Sequence, residues 1–172
     1  MPASEIYPKE QEVLSLVQSE LSQVRKCLVY TVNVNKPDAA GRMQEILERH
    51  GIKARVLRAT VDPPKREQWI TDAVKDGLEV LICNPNLVKT GLDLIYFPTI
   101  IYLQTGYDVF TLRQSSRRSW RIGQDKPVKV FWLYYKETMQ QRAIVLVGKK
   151  TVASQAIEGF LQEDGLASMV ET

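Results

Sequence analysis

Five short apolar runs separated by stretches of helical periodicity constrain this chain more than anything else in it. They occupy residues 27–31, 54–58, 79–83, 99–103 and 128–134. Near-continuous apolar strands, as opposed to alternating ones, belong to a sheet buried on both faces. Such sheets are mainly parallel and covered by the helices that connect their strands. The first helix is predicted over 8–21, with Val13, Leu14, Val17 and Leu21 on one side. A second starts at Pro37-Asp38, presents Met43, Ile46, Leu47 and His50 on one face, and ends at Gly51. A third follows Asp62-Pro-Pro, with Asp62 as its cap and Trp69, Ile70, Ala73 and Val74 buried. Further helices are expected over 108–120, over 137–147 through Met139, Ala143, Leu146 and Val147, and over 151–161. The fold class is therefore α/β, a three-layer α/β/α domain.

A chain of 172 residues is one domain with room for a real core, and residues 164–172 read as a flexible tail. At 44% hydrophobic and 25% charged it has ordinary globular composition. Cys27 and Cys83 lie in apolar runs, which fits buried thiols in a reducing compartment. With one histidine and no Cys-x-x-Cys pair, a zinc site has no support. His50 is expected to be a partly buried structural residue at the end of its helix. Neither a secretory signal nor a bilayer-spanning apolar run is found, so the expectation is a soluble, cytoplasmic protein with no membrane partner.

The net charge of +3 is gathered around one segment. Arg113, Arg117, Arg118, Arg121, Lys126 and Lys129 face a single nearby acid, Asp125. On a helix over 108–120, Gln114, Arg118 and Arg121 share a face and aim planar donors one way, which suits carboxylate or phosphate oxygens. Ile122-Gly123 then breaks the helix. A basic helix end can also be a solvated complement to its own dipole. In parallel α/β sheets, ligands bind off the carboxyl ends of the strands. The loops after Thr31, Cys83 and Leu103 and the helix end near Arg121 are thus the places to look for function.

The spacing Gln114-x-x-x-Arg118-x-x-Arg121-Ile-Gly-Gln124 resembles motif VI of superfamily 2 helicases and translocases, and its ending is especially like the Swi/Snf branch. The similarity runs from about Lys26 to Gly159 and implies a RecA-like (P-loop NTPase-type) second lobe. It makes Arg121 an arginine finger, with Arg118 beside it on the phosphates and Gln114 supporting them or touching nucleotide. Arg117 is left for nucleic acid or salt bridges. Residues 80–94 resemble the motif V strand and loop, which implies that Gly91 allows close approach and that Asp93 contacts ribose. Asn86, Lys89 and Thr90 are the matching nucleic-acid candidates. Arg66 looks like the arginine that opens the helix before this strand, though a solvated helix charge is an equal reading. The loop Asn84–Thr90 lacks the usual small, glycine-rich run, and Gln104-Thr-Gly-Tyr-Asp108 replaces the family's Trp-Asn-Pro element. The chain therefore looks divergent, of a bacterial, phage or plasmid type.

A phosphate-cradling loop and a magnesium-holding acid are needed to hydrolyse a nucleoside triphosphate. Gly148-Lys149-Lys150-Thr151 fails as such a loop, because residue 143 is alanine and Lys150 occupies the hydroxyl position. No Asp-Glu pair closes a strand. The expectation is half an active site: the second motor lobe of a DNA- or RNA-dependent ATPase, inactive alone. ATP with magnesium would be held mainly by a first RecA-like lobe, in the same protein or in trans. A non-catalytic nucleic-acid- or protein-binding module derived from such a lobe is the alternative.

Overall fold

In the computed structural model, residues 5–32, 38–88, 92–104, 119, 123–139, 141–142, 144–146 and 148–149 are described. Helix α1 (Pro8–Ser22) leads into β1 (Cys27–Tyr30), α2 (Ala39–Arg49), β2 (Ala54–Leu57) and a 3₁₀ turn at Pro63–Lys65. Then come α3 (Arg66–Lys75), β3 (Val80–Cys83), the single turn α4 (Pro85–Val88), β4 (Thr99–Tyr102) and β5 (Lys129–Trp132). The sheet order is β2-β3-β1-β4-β5 and every pairing is parallel. The described residues from 139 to 149 are helical. The predicted helices at 108–120 and 151–161 and the predicted tail lie outside the described residues.

Alternate residues of each strand feed two separate cores. Cys27, Val29, Val80, Ile82 and Ile101 meet Val13, Leu14 and Val17 of α1 and Ala40, Met43, Ile46 and Leu47 of α2. Leu28, Tyr30, Leu81, Cys83, Ile100 and Tyr102 meet Ile70 and Ala73 of α3 together with Leu92, Leu94 and Phe97. In β1, β3 and β4 both faces are covered and every residue is buried, so these strands read as continuous runs. Each fully buried Leu or Ile contributes about 1.5–3 kcal/mol. The last residues of three strands also stack, with Tyr102 over Trp132 at 4.0 Å and Tyr30 tilted against Tyr102 at 5.0 Å. At one margin of the sheet, Arg55 of β2 pairs across to Asp76 at 3.4 Å, and both are exposed.

Local chemistry sets the helix ends. Pro8 needs no amide partner in the first turn of α1, and Glu10 accepts the Tyr7 amide at 2.9 Å. Asp38 caps α2 by accepting the Gly41 amide at 2.8 Å, and its other oxygen takes Arg58 at 2.6 Å. Gly41 is required there, since a Cβ would lie 2.5 Å from Asp38 Oδ2. Three expectations are corrected. Asp62 makes no cap hydrogen bond; the two prolines form a 3₁₀ turn ahead of α3, and the carboxylate pairs with Lys65 at 3.5 Å. His50 is exposed, although its Nδ1 lies 2.8 Å from the Ile46 carbonyl oxygen and its amide donates to the Leu47 carbonyl. Among the described residues beyond β5, Ile144 is buried, whereas Met139 is 64% and Leu146 42% exposed. No described helix is long and apolar enough to cross a membrane.

A buried ionic cluster closes the amino edge of the sheet. Glu20 and Arg25 are 3% and 6% exposed. The Glu20 carboxylate accepts Arg25 Nε at 2.7 Å, the Thr99 hydroxyl at 2.6 Å and Lys129 Nζ at 2.8 Å. Arg25 also donates to Thr99 Oγ1 and to the carbonyls of Pro98 and Pro127. The end of α1 is thereby tied to the starts of β4 and β5. Val24 tolerates a left-handed φ of +57° in the turn between the partners, and its carbonyl accepts Lys126 Nζ.

Burial alone pushes the Glu20 carboxyl up, but the donors from Lys129, Thr99 and Arg25 outweigh it and hold the group below its ordinary value of 4.5. A carboxyl depressed in the folded state adds stability that is present above the unfolded value and lost as pH falls through the folded one. Glu20→Gln is therefore expected to cost about 3–5 kcal/mol by denaturant titration at neutral pH, because it leaves buried cations without their anion. The same variant should show a shallower loss of stability below pH about 4.5 than the wild type. Val24→Asn, at a site 78% exposed, should instead raise stability by about 1 kcal/mol in the same titration.

Candidate functional site at the carboxyl edge of the sheet

Parallel pairing places every strand's carboxyl end on one edge. The connection from β1 passes through α2 to β2 on one side, while that from β4 leads to β5 on the other. Such a divergence opens a crevice between the two strands. Across it, Thr31 Oγ1 donates to Gln104 Oε1 at 2.9 Å. On the other flank of β1, Asn84 Nδ2 donates to the Val32 carbonyl at 2.9 Å, and Asn84 Oδ1 accepts the Asn86 amide at 2.9 Å. Lys9, from the first turn of α1, reaches the same edge. Its Nζ donates to the Leu103 carbonyl at 2.9 Å and sits 5.4 Å from the centre of the Tyr135 ring. Burial pushes the Lys9 amine down to about 8.

The loop after β3 is a supported element. Arg66 Nε donates to the Val61 carbonyl and its Nη1 to the Leu87 carbonyl, both at 3.0 Å. The arginine at the start of α3 is therefore an internal brace on this loop, not a solvated charge. Further on, Leu92, Leu94 and Phe97 are buried at 5%, 0% and 0% exposure, and the Phe97 amide donates to the Leu94 carbonyl. Asp93 lies between two buried leucines and is itself exposed.

Of the residues singled out from sequence, Asn86 and Asp93 fall at the two ends of this loop, and both are exposed. Lys89, Thr90, Gly91, Gln114, Arg117, Arg118 and Arg121 lie outside the described residues. The segment is nonetheless anchored on either side of Arg121. Ser119 is fully buried, Gly123 has a φ of +100°, and Gln124 Nε2 donates to the carbonyls of Ile95 at 2.9 Å and Ser119 at 3.1 Å. Sequence reasoning assigned no role to Lys9, Thr31, Gln104 or Gln124. Thr31, Gln104 and Gln124 each follow an apolar run or a glycine directly, whereas nothing local marks Lys9.

Gly148 and Lys149, the first half of the Gly-Lys-Lys-Thr run, are helical. Arg66→Ala is expected to cost about 1–3 kcal/mol by stranding the Leu87 carbonyl. Amide exchange should rise first over 84–88, and Arg66→Lys should recover little of it, because a single ammonium cannot span two carbonyls as the fork does.

Comparison with known proteins agrees with this architecture. Residues 8–123 match the family model described as the helicase conserved C-terminal domain. An uncharacterized ATP-dependent helicase of Schizosaccharomyces pombe is 27% identical over 119 residues, which are 69% of this chain and 11% of that protein. The TATA-binding protein-associated factor MOT1 of Saccharomyces cerevisiae is 28% identical over 115 residues, 66% of this chain and 6% of that one. The putative ATP-dependent helicase/translocase YwqA of Bacillus subtilis is 22% identical over 152 residues, 87% and 16% respectively. The chain thus spans a small fraction of each relative. These relatives come from two yeasts and a bacterium, and they lend no support to a bacterial, phage or plasmid source for this chain. Among solved structures, the C-terminal part of the Fun30 ATPase domain superposes with a TM-score of 0.72 at 18% identity, covering 81% of this chain and 44% of that one. The chain belongs to the helicase conserved C-terminal domain family, and its fold is the RecA-like lobe of that family's Swi/Snf-type members.

Proposed function

We propose that this chain is the second motor lobe of a nucleic-acid-dependent ATPase that translocates on or unwinds its track, with DNA the favoured track. The observation that carries the reading is the extent of the family match. It runs through Gly123, and so takes in the whole Gln114-Arg118-Arg121 spacing. ATP supplies the phosphoryl group, and a first RecA-like lobe supplies the cradle and the magnesium-holding acid. Arg118 and Arg121 are the catalytic residues in this reading. As the γ-phosphoryl group transfers, charge spreads over its equatorial oxygens, and a guanidinium already aimed at them stabilises that charge without reorganising. Gln114 supports the two arginines, while Gly91 and Asp93 face the nucleotide. Asn86, Lys89, Thr90 and Arg117 face nucleic acid, and closing of the two lobes around ATP couples turnover to stepping.

One observation favours the second reading, a non-catalytic module built on the same lobe. The loop after β3 is folded into a helical turn, and both ends of the Asn84 amide are engaged within the protein. Arg121→Ala separates the two readings. In the protein that carries both lobes, it is expected to lower ATP turnover by about 10³-fold or more while ATP binding stays near wild type. Near-normal turnover in that variant would remove the finger assignment, and absence of turnover in the wild-type two-lobe protein would favour the module.

A further inference from the structure

We infer that Gln124 is a positioning residue whose carboxamide joins the loop carrying Asp93 to the backbone flanking Arg121, so that the two segments move as one unit. This rests on the reading of Arg121 given above and adds to it a residue that touches neither nucleotide nor nucleic acid.

The carboxamide is fully committed. Nε2 donates to the Ile95 carbonyl at 2.9 Å and to the Ser119 carbonyl at 3.1 Å, while Oε1 accepts the Lys126 amide at 3.2 Å. One side chain thus spans three backbone positions, two of them 29 and 5 residues away in sequence. Ile95 is a firm attachment point, because its loop is nailed into the core by Leu92, Leu94 and Phe97. Ser119 depends on the contact. It is 0% exposed, and its hydroxyl has no hydrogen-bond partner, so its carbonyl's bond to Gln124 is the polar tie that the described residues give it. Gly123, at φ +100°, supplies the left-handed turn that lets residue 124 fold back towards 119.

Arg121 is two residues from each anchor. The described residues Ser119 and Gly123 thus flank the arginine in sequence. A displacement of about 1 Å at a reacting group can cost about 100-fold in rate. Loosening residue 124 should therefore be felt in the chemical step more than in nucleotide binding.

The test has two arms. In this chain, Gln124→Ala and Gln124→Glu are compared with wild type by amide hydrogen exchange and thermal melting. Gln124→Glu keeps the volume and the acceptor for Lys126 but loses the two donors, and so serves if the alanine variant does not fold. Exchange in peptides covering 92–97 and 116–124 should rise about tenfold or more, with 27–30 and the melting temperature near wild type. In the two-lobe protein, both variants should lower kcat about 10- to 100-fold, with KM for ATP changed no more than about threefold. Exchange that rises equally throughout β1, or a kcat left at the wild-type value, overturns the inference. Arg121→Ala in the same assay tells the two failures apart. If it is inactive while the Gln124 variants are normal, the clamp does not position the finger; if it is active, the finger reading itself has failed.

Discussion

A carboxylate buried among three donors holds the amino edge of this sheet together. Glu20 belongs to α1, yet it meets Thr99 at the start of β4 and Lys129 at the start of β5. Desolvating a carboxylate and a guanidinium costs several kcal/mol each, and the cost is offset only when every lone pair and proton finds a partner. Here Arg25 spends its donors on Glu20, Thr99 and two proline carbonyls. The Pro98 carbonyl also accepts the Lys129 amide at 2.9 Å, so one acceptor joins the cluster to the β4–β5 ladder. A cluster satisfied in only one geometry fixes where β4 and β5 begin. Both strands end three residues later, at Tyr102 and Trp132.

That registration matters because the two edges of the sheet do different work. The amino edge is closed by buried charge. The carboxyl edge carries hydroxyl, amide and amine groups that bridge neighbouring strands: Thr31 to Gln104, Asn84 to Val32, Lys9 to Leu103. The strands end in packed rings, Tyr102 stacked on Trp132 and Tyr30 tilted against Tyr102. The supporting bonds from Arg66 and Gln124 go to backbone carbonyls rather than to other side chains. They fix loop shape while leaving side chains such as those of Asn86 and Asp93 facing outwards.

What the sequence displayed and what it hid follow from range. Strands buried on both faces display themselves as unbroken apolar runs, and all five appear within a residue or two of their observed ends. Asp38 declares α2 because capping is a contact over three residues. The Glu20 cluster joins residues 5, 79 and 109 positions apart, and no local pattern marks such a partnership. Asp62 misled because two following prolines favour a 3₁₀ turn over a capped helix start. The apolar face expected beyond β5 came from counting Met139 and Leu146 as core, whereas the packing selects Ile144. At the candidate site, Asn86 and Asp93 were singled out through a family pattern, and both are exposed. The bracing by Arg66 and Gln124 was not, because their partners are carbonyls and any residue type could supply them.

The strand order leaves β2 and β5 at the margins of the described sheet, each only four residues long. An unpaired strand margin is a template on which another chain can add a strand. Here the templates are short, and each carries a cation, Arg55 on β2 and Lys129 on β5. Two copies meeting margin to margin would gain few ladder bonds, and each cation already has an acid of its own, Asp76 for Arg55 and Glu20 for Lys129. The described margins thus give a second copy little to build on.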